Sequence, residues 1–115
     1  PRWHLDEVVC NIGGKRMYLW RAVDDEGEVL DLVVQKRRDH NAALTLLKRL
    51  LRNQPVEPEA IGARVTEPRE VNEAVAQLFE VAGRQMPNPQ ASQWSVAGLD
   101  GEASGRILAA INDLE

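Results

Sequence analysis

Two groups of charged residues have the types and spacing for metal binding and for contact with phosphate. His4 and Asp6 stand two positions apart in an apolar run, so both side chains point to one face if that run is a strand. Spacing alone favours an exposed strand acid at position 6 and a simple cross-strand partner at His4. The alternative is that His4 supports Asp6 in a metal site. The second group, Lys36, Arg37 and Arg38, can neutralise phosphates or simply end a strand in solvent.

Three strands are predicted to position these groups. Residues 2–12 are rich in β-branched and apolar side chains, lack proline, and run into a pair of glycines that suits a tight hairpin turn. Residues 15–24 form the second strand, residues 25–27 the next turn and residues 28–37 the third strand. Short turns between consecutive strands predict an antiparallel meander. Both faces of the second strand carry apolar side chains, so we expect it to be covered on two sides.

A helix is predicted after the third strand. Asp39 is a good cap for its start, and the helix should end near Asn53, ahead of Pro55. Its apolar residues recur at helical spacing, at Ala43, Leu44, Leu47, Leu50 and Leu51. The proline-containing residues 54–58 then read as a connector.

The remainder of the chain is predicted to be mostly helical. Thr66 is a candidate cap for a helix that carries an apolar stripe and stops at Gly83. Residues 85–93 contain two prolines and form a predicted loop. A final helix starts near Glu102 with Asp100 as a candidate cap. Three apolar residues between loop and helix should anchor this part to the body: Trp94, Val96 and Leu99.

The first 61 residues resemble the opening of the catalytic core of bacterial insertion-sequence transposases of the Asp-Asp-Glu type. The likeness is carried by the Trp-His-x-Asp-Glu start, and by the Gly-Gly pair, residues 18–24 and residues 36–39 that follow it. It implies an α+β fold, in which a three-stranded antiparallel meander and a helix form a partial RNase H-like core over residues 1–61. Residues 62–115 lie outside the resemblance and are expected to form a mostly helical tail that packs on this core.

The RNase H-like fold also sets an expectation for the first strand. In that fold the first strand is central, between the second strand and the strand that follows the helix. If residues 62–66 do not supply the second neighbour, the first strand becomes an open edge with unpaired backbone groups. The tail or a second copy of the chain would then have to cover that edge.

The resemblance implies a catalytic role for Asp6 as the first of three metal-ligating carboxylates. Members of the superfamily hold two divalent ions, Mg²⁺ or Mn²⁺, for strand transfer on DNA, and Lys36, Arg37 and Arg38 would face that DNA. Two cations held close together repel each other, so several anionic ligands must converge on them. One carboxylate is not enough.

The second and third carboxylates of the family pattern have weak counterparts here. Glu67 stands where an aspartate is expected, but it is one methylene longer and precedes Pro68 at a helix start. Glu102 is at a plausible distance along the chain, but its neighbours do not match the family motif. Acids in a first helical turn are common because they interact favourably with the helix dipole. We therefore predict a piece that is inactive alone and holds no metal ion stably.

The length and the net charge of the chain restrict which domains it can contain and how it can bind DNA. The 115 residues allow one ordinary domain, without room for a complete catalytic core and a DNA-binding head. The net charge is −4, which has the wrong sign for a protein whose whole surface grips DNA. Residues 1–61 contain ten basic and ten acidic residues, so the acidic excess lies in the tail. Any affinity for DNA should be weak and independent of sequence.

The remaining expectations concern compartment and partners. Cys10 is the single cysteine, which excludes an internal disulfide and suits the cytoplasm. No apolar stretch approaches the roughly 18 to 20 residues of a membrane span, and a start at Pro1 suggests a fragment. Besides DNA, a second copy or an intact transposase are candidate partners. The alternatives to a transposase fragment are a non-catalytic protein-interaction module and a recombined reading frame without function.

Overall fold

The computed structural model describes residues 1–36, 40–86 and 88–114. These residues form five strands and three helices in the following order: β1 (Arg2–Ile12), β2 (Lys15–Val23), β3 (Val29–Gln35), α1 (His40–Asn53), β4 (Ala60–Arg64), α2 (Pro68–Val81), β5 (Gln93–Ala97) and α3 (Gly101–Leu114). The glycines of the β1–β2 turn, Gly13 and Gly14, have φ of 59° and 79°, the left-handed region that a two-residue hairpin requires. The predicted cap Asp39 lies outside the described residues.

The strands form one mixed sheet in the order β3-β2-β1-β4-β5. The first three strands are antiparallel neighbours, as predicted. β4 pairs parallel to β1 from Arg2↔Ala60 to Asp6↔Arg64, and β5 pairs antiparallel to β4. β1 is therefore central over Arg2–Asp6 and is not an open edge there.

The sheet confirms the α+β class but corrects the predicted architecture. The meander is three strands of a five-stranded sheet, and the part of the chain expected to be mostly helical contributes β5 and most of β4. Both added strands are five residues long. β4 contains Gly62 and two alanines, which have low strand propensity. β5 follows a proline-containing loop, so Trp94 and Val96 read as loop anchors rather than as the alternate buried positions of a strand.

The three helices pack on one face of the sheet and enclose the core there. That face carries Trp3 and Leu5 of β1, Trp20 of β2 and Trp94 of β5, all buried. The helices contribute buried aliphatic and aromatic residues to the same cluster, among them Leu46, Leu47, Leu50, Val71, Val75, Leu78, Phe79, Ile107 and Ile111. Phe79 of α2 meets Trp94 edge to face, with ring centroids 5.7 Å apart. The α2 stripe predicted from its spacing is therefore part of the core.

The opposite face of the sheet is not covered by any described element. Strand alternation places His4, Asp6 and Val8 of β1 on this open face, together with Arg21 of β2 and Arg64 of β4, which pair with Asp6. Leu32 and Val34 of β3 share this face and are 47% and 45% exposed. The expectation that β2 is covered on two sides is wrong for the described residues, because all three helices take the same side.

Candidate functional site

Asp6 lies in the middle of the open face with an arginine on each side. Arg21 is directly opposite on β2, and its Nη2 is 3.1 Å from Asp6 Oδ2. Arg64 is the register partner on β4. The side chain of Asp6 is 17% exposed and that of Arg21 is 44% exposed, so solvent reaches the pair. Asp6 thus has an arginine as its register partner on each side, and one of them, Arg21, forms an ion pair with it.

Arg64 is held in place by Gln93, its partner on β5. With the Gln93 amide turned so that its oxygen faces the arginine, that oxygen accepts hydrogen bonds from Arg64 Nε at 2.9 Å and Nη2 at 2.7 Å. The amide orientation follows from this hydrogen-bond pattern. A two-point contact of this kind restricts the guanidinium, so Arg64 is a fixed positive charge beside Asp6.

His4 lies on the same face but is not the hydrogen-bond partner of Asp6. Among the described residues, Asp6 makes its hydrogen bond with Arg21. His4 instead borders Gly62 of β4, where an added Cβ would lie 3.4 Å from His4 Nδ1 and 3.3 Å from the Trp94 carbonyl oxygen. A shallow cleft of about 550 Å³ lies here, and its lining includes His4, Gly62 and Ser95 but not Asp6 or Arg64.

Glu7, the second acid of the Asp-Glu pair, points to the other face. It is only 4% exposed. Its Oε1 accepts hydrogen bonds from the Thr66 backbone N–H at 3.1 Å and from the Thr66 hydroxyl. Thr66 follows β4, so Glu7 joins β1 to the segment that leads into α2. Adjacent strand residues face opposite ways, which separates a surface acid at position 6 from a buried, structural acid at position 7.

The other two predicted carboxylates lie at helix starts. Glu67 is exposed and occupies the N-cap position of α2, one residue later than the predicted cap Thr66, and Pro68 opens the helix. Glu102 is in the first turn of α3 and forms an ion pair with Arg106 at 2.5 Å. Within residues 1–36, 40–86 and 88–114, no group of three or more His, Cys, Asp or Glu side chains could hold a metal ion. The structure does not gather Asp6, Glu67 and Glu102.

The donor set around Asp6 does not fit a divalent ion. The single carboxylate is already paired with Arg21, and Arg64 adds a second positive charge at the neighbouring register position. A metal ion there would meet electrostatic repulsion from two guanidinium groups and would lack the further oxygen ligands that Mg²⁺ and Mn²⁺ need.

The predicted basic cluster is described only at its first residue. Lys36 is exposed and follows the last residue of β3. Arg37 and Arg38 lie outside the described residues, so their part in the cluster stays a prediction.

The residues that define the Asp6 surface were not singled out from the sequence. Arg21 lies in a segment that carried the family resemblance, but its contact with Asp6 depends on the β1–β2 register. Arg64 and Gln93 depend on strands β4 and β5, which short and weakly patterned segments form. The one available signal is the Gly-Gly turn, because a two-residue hairpin pairs Ile12 with Lys15 and thereby Asp6 with Arg21.

Comparison with known proteins places the chain in a class of transposase domains. The family model described as the DDE domain of the IS240-type transposases matches residues 1–103. The chain belongs to this family of insertion-sequence transposase domains. The match continues well past residue 61, where the resemblance seen in the sequence ended, and it includes β4, α2 and β5.

Individual relatives match a shorter part of the chain. The transposase for insertion sequence-like element IS431mec of Staphylococcus aureus strain N315 is 43% identical over 51 residues, which cover 44% of this chain and 23% of the relative. The transposase for insertion sequence element IS257 in transposon Tn4003, also of Staphylococcus aureus, gives the same values. An uncharacterized protein, pYV0051 of Yersinia pseudotuberculosis, is 38% identical over 55 residues, 48% of this chain and 51% of the relative.

The chain matches only part of the length of these relatives. The matched region spans about a quarter of the length of the curated transposases. No solved structure matches the chain. No helix among the described residues is long and apolar enough to cross a membrane.

Proposed function

We propose that this chain is a transposase core of RNase H-like type that serves DNA transposition without performing strand transfer itself. The observation that carries the proposal is the pairing of Asp6 with Arg21 beside Arg64. Support for the fold type comes from the central β1, flanked by β2 and by β4, the strand that follows the first helix. Support for the process comes from the family match over residues 1–103.

The proposed inactivity follows from the electrostatics of two-metal catalysis. Divalent ions that activate a nucleophile and stabilise the leaving oxygen must be held by converging anionic ligands. Asp6 contributes one negative charge, and the two guanidinium groups beside it more than balance that charge. Glu67 and Glu102 stand at the starts of α2 and α3 rather than beside Asp6 in a ligand cluster.

DNA is the proposed partner, in the bacterial cytoplasm. Exposed Lys36 supports a phosphate-facing strand end, and Arg37 and Arg38 would extend it. The net charge of −4 opposes binding over the whole surface, so contact should be confined to the basic parts and should weaken with salt.

A protein-interaction module is the second candidate function. Three large apolar residues of β3, Val29, Leu32 and Val34, are 45% to 49% exposed. Such exposure on a sheet face is typical of a surface that another protein covers. A second copy of the chain or an intact transposase would be the partner, and sedimentation of the chain alone and with the transposase would distinguish the two.

A plasmid-nicking assay tests the proposed inactivity. Supercoiled plasmid is incubated with the native chain or with Asp6→Asn in the presence of Mg²⁺ or Mn²⁺. We expect the two proteins to give the same background nicking, because the substitution removes no functional metal ligand. Nicking by the native chain that Asp6→Asn abolishes would contradict the proposal. Any contaminating nuclease would act equally in both preparations.

A further inference from the structure

We propose that the open face binds the phosphates of DNA at Arg21 and at Arg64, with no metal ion between protein and DNA. The inference rests on the proposed function in taking DNA as the partner, and it goes further by naming the residues and the sign of each charge. Asp6 is then not a ligand of the bound group. Its carboxylate competes with the phosphate for Arg21.

The hydrogen-bonding capacity of the two arginines supports this role. A guanidinium group has five N–H donors in a rigid fork that matches a phosphate. Arg64 uses its Nε and Nη2 atoms on Gln93, and Arg21 uses Nη2 on Asp6. Both arginines are exposed, so donors remain on each for a ligand above the sheet. Gln93 already restricts the orientation of the Arg64 guanidinium. Little further conformational entropy is therefore lost when a phosphate binds to it.

The charge around this point favours an anion. Asp6 forms an ion pair with Arg21 and is the register partner of Arg64, and the three side chains together carry one net positive charge. Arg2 and His4 lie farther along the same face, in the cleft beside Gly62. Two carboxylates in the lining of that cleft, Asp24 and Asp25, would repel an anion. They follow the end of β2 at Val23, which is two residues after Arg21.

The structure supplies a matched control for Asp6. Asp31 of β3 pairs with Arg49 of α1 at 2.5 Å, and the two side chains are 19% and 45% exposed. The corresponding values for Asp6 and Arg21 are 17% and 44%. Asp31→Asn therefore changes the net charge by the same amount in a similar ion pair, but the arginine that it releases belongs to a helix on the covered side.

Fluorescence anisotropy measures the effect directly. A labelled 20-base-pair duplex of arbitrary sequence is titrated with each variant in EDTA at about 0.1 M salt, where the Debye length is about 10 Å, and thermal melts confirm that each variant is folded. We expect Asp6→Asn to bind about threefold to fivefold more tightly than the native chain, because a charge near the phosphate is removed. Asp31→Asn should bind within about 1.5-fold of the native chain, since its charge lies farther from the phosphate.

Removing an arginine that binds phosphate should lower the affinity for DNA, whereas removing Asp6 should raise it. Arg64→Gln should weaken binding and lower the slope of log affinity against log salt by about 1, whereas Arg49→Gln should leave that slope unchanged. Binding that responds equally to Asp6→Asn and Asp31→Asn, or equally to Arg64→Gln and Arg49→Gln, overturns the site and leaves the DNA partner standing. Absence of duplex binding by all variants overturns the DNA partner and the site together.

Discussion

Replacing Asn72 with alanine should lower the free energy of unfolding by roughly 2–4 kcal/mol. Asn72 is fully buried in α2. Its Nδ2 donates to the carbonyl oxygens of Pro89 and Ala91 at 2.8 and 2.9 Å, and its Oδ1 accepts from Trp94 Nε1 at 2.8 Å. Alanine would leave the indole N–H without this acceptor and both carbonyls without this donor. The loop that leads into β5 would then lose its link to α2.

Equilibrium denaturation in urea measures this loss, with Asn112→Ala as the control. Asn112 is also on a helix but is exposed, so its replacement should change stability by less than about 0.5 kcal/mol. Equal stability of the two variants would show that the Asn72 hydrogen bonds do not hold β5 in place.

Replacing Glu7 with alanine should destabilise the fold by roughly 2–3 kcal/mol, whereas Asp6→Ala should cost less than about 1 kcal/mol. Glu7 is buried, and its carboxyl group accepts from both the backbone and the hydroxyl of Thr66. Asp6 sits in a solvent-accessible ion pair, for which screening leaves a small net contribution. The two adjacent acids should therefore differ in how much they contribute to the free energy of unfolding.

The same urea titrations decide this difference. Glu7→Gln is a useful third variant, because its amide oxygen keeps an acceptor for Thr66 and should recover part of the lost stability. A larger loss of stability from Asp6→Ala than from Glu7→Ala would reverse the assignment of surface and structural roles.

The sequence was sufficient to predict elements whose signals are local. The Gly-Gly turn and the apolar strand runs predicted the β1–β3 meander, which the register confirms. Apolar spacing predicted three helices, and the structure has them at His40–Asn53, Pro68–Val81 and Gly101–Leu114. In these segments, turn chemistry and helical periodicity depend on residues a few positions apart.

The sequence was insufficient where the structure depends on pairing between distant segments. β4 pairs with β1 although more than fifty residues separate the paired positions in the sequence. No local feature of the β4 sequence, Ala-Ile-Gly-Ala-Arg, indicates that Arg64 will be the register partner of Asp6. A one-residue shift in that register would turn Arg64 to the other face of the sheet. For the same reason, distance along the chain could not establish where Glu67 and Glu102 lie relative to Asp6, although their predicted positions at helix starts are confirmed.

The family relationship and the Asp6 geometry give a consistent account of this chain. The match over residues 1–103 places the whole sheet within a DDE domain. Asp6 lies on the central strand of that sheet, and its register partners on both neighbouring strands are arginines. We therefore propose that this chain keeps the fold of the domain and contacts DNA through guanidinium groups rather than through a metal ion.

A manganese titration followed by ¹⁵N–¹H NMR tests the central claim most directly. Bound Mn²⁺ broadens the amide signals of nearby residues, so a metal centre at Asp6 would be seen without any catalytic activity. The account predicts no saturable broadening at the amides of Asp6, Glu7 and Arg64 beyond that in Asp6→Asn. Saturable broadening centred on these amides in the native chain, and lost in Asp6→Asn, would contradict it.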